Sequence, residues 1–141
     1  MIGDEEEAIM IDCGAKMSNV KKALDYKTKH VVGCLVTHSH GDHCKFANET
    51  TAIGIDLFGL KDTFEVLDLK QKHKVNEIKP GYQFKLKNFG ILPFEVQHDV
   101  PTLGFLINHK EIGNLVFITD TYYCRYKFND INHIVVEANY S

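Results

Sequence analysis

No stretch of this 141-residue chain approaches the roughly 20 consecutive apolar residues that a membrane-spanning helix needs. The opening Gly3-Asp4-Glu5-Glu6-Glu7 is acidic, the reverse of the basic start of a secretory signal. A helical membrane span is excluded on this reading, no membrane partner is expected, and the cytoplasm is the expected setting. Cysteine is sparse: Cys13, Cys34, Cys44 and Cys124 show neither CxxC spacing nor the crowding of a secreted disulfide scaffold. Cys34 lies inside an apolar run and is expected in the core, and Cys44 is expected to pack as a small hydrophobe rather than act as a ligand. An excess of positive charge is also lacking, with 16 Lys and Arg against 19 Asp and Glu. A net charge of −3 argues against a protein that coats nucleic acid nonspecifically, and Lys61, Lys70, Lys72, Lys74 and Lys79 are expected on a solvated face. There is no internal repeat, low-complexity tract or linker. With 44% hydrophobic residues the chain can bury one core, so residues 1–141 are expected to form a single domain.

What the chain does have is a dense run of metal-ligand side chains. Val36-Thr37-His38-Ser39-His40-Gly41-Asp42-His43 follows directly on the apolar residues 31–36 and places His38, His40, Asp42 and His43 within six positions. Side chains alternate along an extended segment, so His38 and His40 leave the backbone on one side and can hold one ion together. Gly41 permits a sharp change of direction that turns Asp42 and His43 toward a second position. Neutral imidazoles and a carboxylate are the donor set of zinc or a similar divalent ion.

The segment Thr37-His38-Ser39-His40-Gly41-Asp42-His43 resembles the His-x-His-x-Asp-His signature of the metallo-β-lactamase-fold hydrolases, in particular the small phosphodiesterase and exonuclease-type members. The resemblance implies an α/β (α+β) chain folded as an αββα sandwich. It implies a later histidine and a bridging aspartate, matched by His98 after the alternating Leu92, Phe94 and Val96, and by Asp120 after Val116 and Ile118. It further implies one ion held by His38, His40, His98 and Asp120, and a second held by Asp42, His43 and Asp120. Zn2+, as one or two ions, is the expected cofactor and Mn2+ an alternative. Asp42 and Asp120 are the candidate catalytic carboxylates.

Around that motif the pattern is α/β at first. Residues 7–14 read as a strand closed by Gly14, Ser18 as the N-cap of a helix through Val20, Leu24 and Lys27, and residues 31–36 as a buried strand. Strand, helix, strand implies parallel pairing, with the ligand loop at the carboxyl end of a strand. Asp12, at the end of the first strand, either orients a ligand histidine or stabilises the turn. A strand over 51–57, a helix over 60–67 and a short strand over 74–78 follow. From Tyr82 on the chain reads as all-β, with strands over 83–87, 91–97, 103–109, 114–119 and 133–139. His30, His73, His109 and His133 are expected as ordinary surface or loop residues.

Relative to the family, a further strand before residue 7 and a last histidine for the second ion have no counterpart, so the sandwich is expected to be incomplete and the chain truncated at both ends. Exposed sheet edges would then favour a homo-oligomer. Two functions fit these residues. One is a metal-dependent hydrolase, most simply of phosphodiester bonds in nucleic acid or a cyclic nucleotide, using a metal-activated water. The other is a noncatalytic metal-binding fragment or inactive remnant of such a hydrolase. A flavodiiron-type redox centre fits less well, because His40 stands where a carboxylate is expected.

Overall fold

The structure, a computed structural model, describes residues 2–4, 6–13, 30–39, 44–96, 100–119 and 130–137. The chain divides into two compact units, Met1–Glu77 and Ile78–Ser141, each built on its own five-stranded sheet. The helix expected over residues 18–27 lies outside the described residues.

In the first unit the strands run in the order β1 (Ile2–Gly3), β2 (Ala8–Ile11), β3 (Val31–Leu35), β4 (Leu57–Gly59) and β5 (Val75–Glu77). Strand β1 pairs antiparallel with β2, and β2 through β5 are parallel. The presence of β1 corrects the expectation that no strand precedes residue 7. Asp4 makes the turn possible by accepting the backbone N–H of Glu6 and of Glu7, each at 2.9 Å. Parallel strands are buried on both faces, which explains why β3 is a continuous apolar run. Met10, Cys34, Val36, Leu57, Phe64 and Leu69 share one core cluster, where each large apolar side chain contributes about 1.5–3 kcal/mol through burial.

Among the described residues two helices connect these strands, α1 (Ala47–Ala52) and α2 (Lys61–Val66), with a 3-10 turn over Lys72–Lys74. The strand expected over 51–57 is corrected: Thr51 and Ala52 close α1, and β4 begins only at Leu57. Thr50 and Thr51 are buried with their hydroxyls bonded back to the carbonyls of Phe46 and Asn48, a way for β-branched residues to sit in a helix. Gly54, at φ 96°, then turns the chain toward β4.

The second unit is ordered β10 (His133–Glu137), β9 (Gly113–Thr119), β8 (Thr102–His109), β7 (Phe89–Val96) and β6 (Phe84–Leu86). Strands β6 to β9 are antiparallel neighbours, and β10 joins β9 in parallel. Strands β7 and β9 flank β8 and run the same way, so both finish at one edge of the sheet. On one face Ile91, Phe105 and Ile107 are almost completely buried. On the other, Phe94, Val96 and Val116 form a cluster joined by Leu106, Ile118 and Ile131. The Phe94 ring occupies the space beside its cross-strand partner Gly104, where a Cβ would stand 2.5 Å from the ring. Strand β10 is an edge strand with Ile134 and Val135 exposed.

Candidate metal centre

His38 is placed by the strand that precedes it. After β3 the chain stays extended, the Val36 N–H donating to the Phe58 carbonyl at 2.8 Å, so Thr37 and His38 arrive at the carboxyl edge of the sheet. Both are fully buried. At the same edge Asp12 follows β2, and its own N–H donates to the Leu35 carbonyl at 2.8 Å.

Asp12 adopts a left-handed backbone, φ 66°, which Asp tolerates better than most residues. In that conformation its carboxylate accepts the Thr37 N–H at 2.7 Å and the Thr37 hydroxyl at 2.8 and 3.0 Å. The same hydroxyl oxygen lies 2.8 Å from His38 Nδ1. A hydroxyl has one proton and a carboxylate can only accept, so the Thr37 proton goes to Asp12 and Thr37 can only accept from the imidazole. His38 therefore carries its proton on Nδ1 and keeps its lone pair on Nε2. A histidine that binds a divalent ion through Nε2 takes this form, with the other ring nitrogen tied to an orienting group. The Asp12 carboxylate is thus linked through Thr37 to the His38 ring.

The far end of the ligand segment is anchored as well. The Cys44 thiol donates to the His38 carbonyl at 2.8 Å, and the Phe46 N–H donates to the Cys13 carbonyl at 2.8 Å. Cys44 and Cys34 are buried in the core cluster, as expected of small apolar residues. Cys13 and Cys34 touch through sulfur, 3.2 Å apart. That contact, burial, and the nearby Cys13, Asp12 and Cys44 all push the Cys34 thiol well above its ordinary pKa.

His40, Asp42, His43, His98 and Asp120 lie outside the described residues. Among the described residues no three His, Cys, Asp or Glu side chains are grouped as a metal site. The strands leading to His98 and Asp120 are described. Phe94 and Val96, four and two positions before His98, share a cluster with Val116 and Ile118, four and two positions before Asp120. Period-2 alternation thus puts the two approaches on one face and one edge of the second sheet.

Thr37 was not singled out from the sequence. Its signal is positional: in an extended run the residue before a ligand projects away from the ion, toward whatever the neighbouring strand offers. His109 corrects the expectation of a surface or loop histidine. It ends β8 almost fully buried, 4.5 Å from the Phe89 ring, and its Nδ1 accepts the Glu111 N–H at 3.2 Å.

A largely parallel sheet in one unit and a largely antiparallel sheet in the other match the architecture of the metallo-β-lactamase fold. The chain belongs to the beta-lactamase superfamily domain family, whose model matches residues 7–140. It is 27% identical to exodeoxyribonuclease YycJ of Bacillus anthracis, over 99% of this chain and 57% of that protein. It is 23% identical to ribonuclease Z of a Picosynechococcus species, over 74% of this chain and 38% of that protein. Among solved structures it is similar to MEM-A1, a subclass B3 metallo-β-lactamase from a soil metagenome library, with a TM-score of 0.69 and 16% identity. That match covers 84% of this chain and 55% of the other, and establishes the fold. The chain therefore spans about half the length, or less, of the curated relatives it matches. Among the described residues no helix is long and apolar enough to cross a membrane.

Proposed function

We propose that this protein is a metal-dependent hydrolase of phosphodiester bonds in nucleic acid. The observation that carries the proposal is the buried Asp12–Thr37–His38 relay, which spends a carboxylate and a hydroxyl on orienting one imidazole through its Nδ1. A structural histidine needs no such arrangement, whereas a metal ligand gains basicity and a fixed ring from it. His38, His40, His98 and Asp120 would hold one ion, and Asp42, His43 and Asp120 a second. Zinc, or manganese in its place, would supply Lewis acidity and lower the pKa of a water. Asp12, through Thr37, holds the His38 ring; Asp42 and Asp120 would bring negative charge that offsets the charge of the bound ions.

The preference for nucleic acid is supported by the relatives, which are named as an exodeoxyribonuclease and a ribonuclease. A cytoplasmic setting belongs to the same proposal, and so does self-association, supported by the exposed Ile134 and Val135 on an edge strand. A metal-binding chain without turnover of its own is the alternative reading.

Metal content and activity measured on one preparation separate the two. The purified, metal-replete chain is expected to hold one to two transition-metal ions, and less than about 0.2 equivalents would remove the basis of the site. Turnover of single-stranded DNA, a cyclic nucleotide or a bis-aryl phosphate establishes the hydrolase, and metal without turnover the alternative. Given turnover, Asp120→Asn should lower the rate more than tenfold, about 1.4 kcal/mol in the barrier. A smaller loss would show that Asp120 does not bridge two ions.

A further inference from the structure

Beneath the Asp12 relay sits a pair of sulfurs that the proposed hydrolysis does not use. Cys13 follows Asp12 at the end of β2, and Cys34 lies on the neighbouring strand β3, where its backbone partner is Met10. Both are fully buried, and their Sγ atoms stand 3.2 Å apart although the residues are 21 positions apart in the chain. A disulfide bond is about 2.05 Å long, so closure requires the sulfurs to approach by only about 1.2 Å. The structure carries both as thiols, and the Cys34 thiol also lies 3.6 Å from the Asp12 carbonyl oxygen.

We propose that Cys13 and Cys34 form an oxidation site, closed to an intramolecular disulfide by a small neutral peroxide. The two thiols lose two protons and two electrons and gain an S–S bond. The peroxide O–O bond takes up both electrons and both protons and leaves, for hydrogen peroxide, as two waters. One sulfur displaces hydroxide from the peroxide and becomes a sulfenic acid, and the other displaces water from it. Contact between the sulfurs makes the second displacement intramolecular, which disfavours further oxidation of the first sulfur. Burial admits small oxidants in preference to bulky ones and slows the first displacement, so the bond forms under sustained exposure rather than as a rapid response. Its effect is mechanical: it ties Cys13, two residues past β2 and next in sequence to Asp12, which holds His38 through Thr37, to Cys34, the penultimate residue of β3. This inference does not depend on metal binding.

The test uses the purified, folded chain after chelation, exposed to hydrogen peroxide, then unfolded, alkylated and mapped by peptide mass spectrometry. The expected product is a monomer lighter by two hydrogens, with Cys13 linked to Cys34, reversed by dithiothreitol. Cys44→Ala should leave this link intact and Cys34→Ala should abolish it. Recovery of Cys13 and Cys34 as alkylated thiols, their appearance only as sulfinic or sulfonic acids, or linkage of either to Cys44 or Cys124 would each overturn the proposal. The parent chain decides the matter alone if a variant does not fold.

Discussion

Replacing Thr37 by Val removes one oxygen and leaves the side-chain shape nearly unchanged, so it isolates the relay that orients His38. Two hydrogen bonds disappear, one of 2.8 Å from the hydroxyl to Asp12 Oδ2 and one of 2.8 Å between the hydroxyl oxygen and His38 Nδ1. The first involves a carboxylate and is worth about 1.5–3 kcal/mol; the second is a neutral contact worth about 1 kcal/mol. The Thr37 N–H still reaches Asp12 at 2.7 Å, so the carboxylate keeps part of its support. The expected loss is about 2.5–4 kcal/mol, a fall in Tm of roughly 8–15 °C for a chain of this size. Thr37→Ser keeps the oxygen and gives up only a methyl group, about 1 kcal/mol. Urea unfolding of the metal-free parent and both variants measures the difference directly, and zinc titration of the same three proteins should show a tenfold to hundredfold weaker site in Thr37→Val alone. Unfolding free energies for the Val and Ser variants within about 0.5 kcal/mol of each other would refute the relay, because they would show that the hydroxyl is not bridging the two groups.

Two further perturbations address other parts of the molecule. Gly104→Ala puts a methyl 2.5 Å from the Phe94 ring and 3.1 Å from the Phe117 carbonyl, and should cost about 1–3 kcal/mol in thermal melting; an unchanged Tm would mean that the ring does not fill that space. The Cys34 thiol has its folded pKa raised, first by the hydrogen bond with Cys13. Its contribution to stability is complete below the unfolded thiol pKa of roughly 8.5 and is lost as pH rises toward the folded value. Above the unfolded thiol pKa the parent should therefore lose stability with rising pH more steeply than Cys34→Ala, and parallel pH profiles in denaturant unfolding would contradict the shift.

The parts of the fold set by local pattern were legible beforehand. An apolar run following a strand and an expected helix announced β3 and its parallel partner, and the alternation of Leu92, Phe94 and Val96 announced the face that packs with Val116 and Ile118. Residues 51–57 were misjudged because Thr51, Ile53 and Ile55 have strand preferences that lose to context: buried hydroxyls bond within α1, and Gly54 turns the chain. The run of candidate ligands was visible as chemistry, and of its members the structure describes His38, buried beside Thr37. What holds His38 was harder to see, because the Asp12–Thr37 contact spans 25 positions and depends on parallel pairing that brings two strand ends together. Buried His109 shows the same limit, since a histidine at a strand end looks alike in sequence whether it faces water or a phenylalanine ring.

The left-handed backbone of Asp12 makes that position a point where two demands on one amino acid intersect. Glycine would relax the backbone and forfeit the carboxylate; glutamate would keep the charge but carry it on a longer arm and fit the conformation less well. Asparagine satisfies the backbone, yet its amide has a single acceptor oxygen where Asp12 uses two toward Thr37. In a saturation library selected for folding alone, position 12 should tolerate asparagine, which keeps one acceptor for Thr37, and reject glycine, which keeps none. In one selected for the oriented imidazole it should narrow to aspartate, so the gap between the two selections would measure what the chain gives to chemistry rather than to its own stability.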